Sequence, residues 1–353
     1  MVHEFPESDA ARLDDERGFL SALVGDGRPL LTLTGLALTL SGLVALFLAA
    51  TGHFLPHDER YLGMTSADLC SLHACRIVHF MIHDRVSFGG ALVAIGLLYL
   101  WMAEFPLKRG EPWAWWLFLL SGAEGFVSFF AYLGYGYLDT WHGIATLGLL
   151  PCFAVGLALS RETLNGPSGI RSLLSPSVRL PWLSIAGLGR ACLLATALGL
   201  VGGGLTILVV GMTTVFVPQD LVFLDIGVDE FNAINGRLIP LIAHDRAGFG
   251  GAVCCFGITL LCVVWCARPS KSLWQALALA GTIGSATAIG VHPVIGYNDA
   301  VHLAPAVLGA CVYAIGLLAY RPACHGGGRP VGQSGSIFEG VEPARIETGM
   351  TGT

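Results

Sequence analysis

The 353 residues are 54% hydrophobic and 12% charged, with a mean hydropathy of +0.68 and a formal net charge of −6. Soluble domains carry about 25% charged residues, so this balance excludes an ordinary soluble domain and predicts an all-α, polytopic integral membrane protein. No basic block points to nucleic acid, and no strand–helix alternation or phosphate-binding glycine loop points to a soluble α/β barrel enzyme.

A span needs about 20 mostly apolar residues, because lipid leaves every backbone N–H and C=O to be satisfied inside the helix. Residues 1–28 are polar and acidic, unlike the basic start of a signal peptide, and are predicted to form a cytoplasmic segment. The first span, 29–52, is expected as an uncleaved helix. The outer loop after it carries Cys70 and Cys75, close enough in sequence for a disulfide in an oxidising compartment, although spacing alone leaves the bond open. The other cysteines fall mostly inside spans, where they act as small apolar side chains.

The second span, 84–105, starts within His83-Asp84-Arg85 and ends near Trp101, one of four tryptophans, with Trp113, Trp115 and Trp116, at the inner boundary. The third span, 113–133, holds Glu124 in mid-membrane. Such a carboxylate serves proton or cation handling, or is an acid bonded to Ser121 or a neighbouring helix. The fourth span, 142–160, opens with Asp139-x-x-His142. Residues 161–190, with Pro167, Pro176 and Pro181, read as a cytoplasmic linker. Spans five to eight are expected over 191–215, 246–267, 273–293 and 301–320, the sixth starting within His244-Asp245-Arg246 and the eighth within Asp299-x-x-His302. Residues 321–353, rich in Gly and Ser, are predicted to be a disordered tail.

Two stretches in this order are the same. His83-Asp84-Arg85-Val86-Ser87-Phe88-Gly89-Gly90-Ala91 returns as His244-Asp245-Arg246-Ala247-Gly248-Phe249-Gly250-Gly251-Ala252, identical at seven of nine positions. Asp58 matches Asp220, Asp68 matches Asp229, Arg76 matches Arg237, Tyr137 matches Tyr297 and His142 matches His302, all 160 to 162 residues apart. Constant spacing over most of each half predicts a duplication, with four-helix repeats at 29–160 and 191–320. Four is even, so both copies enter the membrane in the same direction and the repeat is parallel.

Fourteen of the nineteen Lys and Arg residues fall on one side of these spans, which places both termini in the cytoplasm of a plasma (inner) membrane protein. Nine of the eleven histidines then fall on the outer side. Asp139 and Asp299 stand where helix caps stand. Gly89-Gly90 and Gly250-Gly251 suit close packing of helices two and four, and Arg85 and Arg246 can snorkel to the interface. Together, however, His, Asp and Arg at a lipid boundary are costly and usually face a partner inside the bundle. His83 and His142 are therefore expected to share one outer polar site, and His244 and His302 a second. A flat cofactor in the groove between His83 and Gly90, with His142 opposite and Arg76 or Arg85 near its carboxylates, is one reading. A divalent metal held by these histidines with Asp84, Asp139, Asp245 or Asp299 is another, and a structural hydrogen-bond network a third. The halves also differ. Gly284 stands opposite Glu124, and His292 replaces Tyr132.

This layout resembles heme A synthase, a duplicated eight-span family with His near the outer ends of its even helices, where His83, His142, His244 and His302 fall, and a cysteine pair in the first outer loop, where Cys70 and Cys75 fall. The family places Glu three residues before the second-helix His and Arg directly after it, where this chain has Phe80 and Asp84. The resemblance implies heme ligation and not the synthase reaction. The sequence leaves three functions open: a membrane redox or cofactor protein, a transporter or channel with Glu124 in its path, and a non-catalytic scaffold. It does not decide whether the chain is an enzyme, and beyond the lipid bilayer it names no partner.

Overall fold

The computed structural model describes residues 18–128, 137, 140–166 and 169–325, and among these there are helices and no strands. In chain order the α-helices are α1 (Phe19–Val24), α2 (Arg28–Thr51), α3 (Pro56–Leu62), α4 (Ser66–Cys70), α5 (Arg76–Glu104), α6 (Pro112–Ser128), α7 (Thr140–Ser160), α8 (Ile185–Met212), α9 (Pro218–Leu224), α10 (Val228–Ile234), α11 (Leu238–Cys266), α12 (Lys271–Ile295) and α13 (Ala300–His325). Seven of them, α2, α5, α7, α8, α11, α12 and α13, are long and apolar enough to cross a membrane. The expected third span is helical over α6, and its remaining residues lie outside those described.

Local chemistry sets the helix ends. Proline in the first turn starts α2, and Gly52 at φ 70° ends it. Ser184 caps α8 by accepting the Gly187 N–H at 3.0 Å, so residues 185–190 belong to that helix rather than to a linker. Ser270 caps α12 in the same way, and Gly296 at φ 79° closes it. The expected tail is corrected at its start, because α13 runs on through Pro322 to His325; residues 326–353 lie outside the described chain.

Helices α5 and α11 form the centre. In each, 72% of the most apolar stretch is buried, against 17% in α8 and α13, whose exposed faces carry residues such as Leu198, Leu205, Leu308 and Ile315. Lipid tails supply no hydrophobic drive between helices, so the centre depends on close backbone approach at small residues. Gly89 meets the backbone of Gly42 in α2, Gly90 meets the Thr287 side chain of α12, and Gly250 meets the backbone of Gly204 and Leu208 in α8. These glycines therefore seat α5 on α2 and α12, and α11 on α8, rather than joining helices two and four of one half as expected. The two central helices also pack on each other, and α6 packs on α11.

At the end of the bundle where α5 and α11 finish, indole N–H groups tie neighbouring segments: Trp101 to Ser272 at 3.1 Å, Trp115 to the Leu157 carbonyl at 2.8 Å and Trp274 to the Leu317 carbonyl at 3.0 Å. Buried Arg190 donates to the carbonyls of Val264 and Trp265, the last-turn acceptors of α11 that have no partner inside the helix. At the opposite end, where α5 and α11 begin, lies a separate apolar cluster that includes Ile77, Phe80, Phe231 and Leu241. The polar groups of α5 and α11 lie within it.

Candidate metal centre

Asp84 and Arg246 sit at matching places on the two central helices, and their side chains meet across the middle. Arg246 Nε donates to Asp84 Oδ2 at 3.3 Å, and its Nη1 donates to Asp220 of α9 and, at 2.9 Å, to the Val215 carbonyl. Val215 has φ 65°, a strained conformation for a β-branched residue, which turns that carbonyl toward the guanidinium. The Tyr297 hydroxyl, in the short connection between α12 and α13, donates to Asp220 Oδ1 at 2.8 Å. Tyr297 lies outside the spans, and burial together with Asp220 pushes its phenol well above the ordinary value.

Three imidazoles close this circuit. His83 Nδ1 bonds Asp84 Oδ1 at 2.8 Å, His292 Nδ1 bonds the Tyr297 carbonyl at 2.7 Å, and His302 Nδ1 bonds the Tyr297 hydroxyl at 3.2 Å. A carbonyl and a carboxylate only accept, and the one hydroxyl proton of Tyr297 is directed to Asp220, so each Nδ1 is the donor and the tautomer follows. In its neutral form each ring then presents Nε2 as a lone pair. One ring nitrogen from each of the three lies within 4.8 Å of the others, and the Nε2 atoms of His83 and His292 are 3.2 Å apart. Two lone pairs at that distance require a cation between them, either a proton or a metal ion. Two nitrogens bound tetrahedrally at 2.0–2.1 Å are about 3.3 Å apart.

The matching residues of the other half make a second network. Arg85 donates to Asp245 Oδ2 at 2.8 Å and pairs with Asp58 Oδ2 of α3 at 2.9 Å; the Tyr137 hydroxyl donates to Asp58, and His244 Nδ1 lies 3.3 Å from Asp245 Oδ1. His57 lies 3.4 Å from Asp58, and the Tyr137 and His244 rings meet edge-on at 5.0 Å. Across both networks, four carboxylates, Asp58, Asp84, Asp220 and Asp245, face two guanidiniums, Arg85 and Arg246. With neutral imidazoles the buried balance is two negative charges.

The expected pairing within halves is corrected at His302, which joins His83 of the other half and His292 rather than His244. The physical reason is the packing of α5 on α12, which carries His292 to His83. His142 lies in α7 and its side chain is outside the described residues, as is Asp139. Asp299 caps α13 through the His302 N–H at 2.7 Å. Arg76 pairs with exposed Asp225 at 3.4 Å, and Arg237 Nη1 donates to the Tyr61 carbonyl at 2.6 Å; neither reaches the histidines. Glu124 lies beside the Cys255 thiol of α11, while Ser121 bonds Tyr99 at 2.7 Å. Cys70 and Cys75 are disulfide-bonded. The groove expected beside Gly90 is filled by Thr287. His292 is the member of the imidazole cluster that sequence reasoning passed over, and its signal was its replacement of Tyr132 in an otherwise matching pattern. No known protein family, curated protein or solved structure matches the chain.

Proposed function

We propose that this chain is an integral membrane metalloprotein that holds one divalent transition-metal ion through Nε2 of His83, His292 and His302 near its outer face. The observation that carries this reading is the convergence of three imidazoles whose Nδ1 atoms are each fixed by a different acceptor, since ligating histidines use the second ring nitrogen in this way. The network beside the triad carries one excess carboxylate, Asp84 and Asp220 facing Arg246 alone, which favours a cation there, and imidazole ligands suit Zn, Cu, Fe or Ni. Three protein ligands leave a further coordination position for water or substrate, the pattern of reactive rather than purely structural zinc sites. A metal ion is preferred to heme because Thr287 stands where a flat macrocycle would enter beside His83.

The architecture of this reading is eight spans in two parallel four-helix repeats, with α6 as the eighth span and both termini in the cytoplasm. The reciprocal contacts support the repeat: Arg85 with Asp245 and Arg246 with Asp84 join residues that the sequence match relates to each other.

Metal analysis of the purified protein tests the proposal. About one equivalent of a transition metal is expected in the wild type, with loss in His292→Ala and His302→Ala and retention in His53→Ala, a histidine outside the triad. Equal metal content in all four would reject the site.

A further inference from the structure

Directly outward of the histidine triad lies an open cleft of about 400 Å³, lined by Arg76, His79, Val222, Phe223, Ile295 and Gly296 together with Ala74. His79 is four residues before His83 on α5, and Ile295 is three residues after His292 on α12. Both therefore stand about one helical turn, roughly 5 Å, above the paired imidazoles. The polar side chains in this lining are a guanidinium and an imidazole, and no carboxylate lines it. His79 makes no hydrogen bond or ion pair among the described residues. Arg76 has one partner, Asp225, at 3.4 Å, whose side chain is 82% exposed. An exposed single-contact ion pair of this kind is weak, so Arg76 is free to exchange it. Val222, Phe223 and Ile295 form the apolar part of the lining beside the two polar groups, and the cleft stays open to the surface.

We propose that this cleft binds a small oxyanion, a carboxylate or phosphate group, between Arg76 and His79, and so delivers an anionic substrate to the metal above its three-histidine face. Arg76 supplies a planar donor fork matched to an oxyanion, and His79 a second donor at the depth nearest the triad. The anion-binding half stands on the cleft alone, and the delivery half rests on the metal reading. The oxyanion belongs either to a soluble molecule or to a lipid headgroup phosphate, since the cleft opens at the outer membrane boundary.

The test uses full-length protein in phosphatidylcholine nanodiscs and inorganic phosphate as the probe, measured by equilibrium dialysis. Saturable binding near one equivalent is expected. It should weaken at least tenfold in Arg76→Gln and in His79→Gln, recover in part in Arg76→Lys, and persist in His292→Ala. Binding that is absent, or unchanged in Arg76→Gln and His79→Gln, overturns the proposal. In cobalt-loaded protein, phosphate should shift the visible cobalt bands in the wild type and not in Arg76→Gln. Cobalt uptake without phosphate binding would leave the metal centre standing and remove the cleft. Arg76-dependent phosphate binding without cobalt uptake would do the reverse. Phosphate binding that is clearly stronger in lipid-free detergent than in phosphatidylcholine nanodiscs would identify the headgroup phosphate as the occupant, and equal binding in the two would identify a soluble anion.

Discussion

The two buried networks near the start of α5 and α11 are built from matching residues and differ in the imidazoles that surround them. Each has an Arg held between two carboxylates, a Tyr hydroxyl on one of those carboxylates, and a His beside the other. Only around Arg246 do the described residues bring three imidazoles together, because α12 supplies His292. The networks also differ in depth: the Arg246 and Asp84 side chains are 5% and 1% exposed, those of Arg85 and Asp245 18% and 10%. Matched ion pairs thus join the two central helices, while His292, a residue without a match, distinguishes the Arg246 network.

Removing the guanidinium should break this comparison most strongly. Arg246→Ala leaves Asp84 and Asp220 buried without a counter-charge, a loss expected to cost about 3–5 kcal/mol, whereas Arg85→Ala, whose partners keep more contact with water, should cost clearly less. Thermal unfolding in one detergent reads the difference, and equal losses would contradict the depth argument. Next in size is helix seating. Gly250→Ala drives a methyl to within 2.3 Å of the backbone of α8, while at Gly89 the nearest atoms, the Gly42 carbonyl at 2.9 Å and the Ala45 and Leu46 side chains at 3.2 Å, stand further off, so the first is expected to cost about 1–3 kcal/mol and the second less.

Tyrosine separates the networks by function. The Tyr297 hydroxyl fixes His302, while its backbone carbonyl, kept in phenylalanine, holds His292; Tyr297→Phe should therefore lower metal affinity about 10-fold through His302 while Tyr137→Phe leaves it unchanged, as measured by competition with a chelator. The smallest effect is expected in the outer loop. Asp68 accepts from the Thr65 N–H at 2.9 Å and the Thr65 hydroxyl at 2.7 Å, and these bonds hold its carboxyl below the usual value. A lowered carboxylate value stabilises the folded loop above the ordinary pKa, and the contribution disappears as pH falls through the lowered one. Amide exchange over 66–70 should therefore be faster in Asp68→Asn than in wild type at neutral pH, with the two converging in strong acid.

Hydropathy made the apolar helices legible, since a run of 20 apolar residues carries its own length signal. The spacing of His83-Asp84-Arg85 and His244-Asp245-Arg246 likewise placed the polar residues on the two central helices. Helix neighbours were not legible, because glycines such as Gly89 and Gly90 permit close approach without naming the partner, and the partners proved to be α2 and α12. Short helices α9 and α3 hid the roles of Asp220 and Asp58, whose repeat match was visible but whose turn back into the core was not. His292 was missed as a ligand for a related reason. A site assembled from both halves shows no local motif, and a difference between repeats can mean loss of function as well as gain.

X-ray absorption at the metal edge tests the central claim most directly. Protein loaded with one equivalent of zinc should show three imidazole nitrogens at 2.0–2.1 Å and one further light ligand. The His292→Ala variant should lose one of the three or fail to hold the ion. A spectrum without imidazole scattering, or one unchanged by His292→Ala, would contradict a metal centre built from His83, His292 and His302.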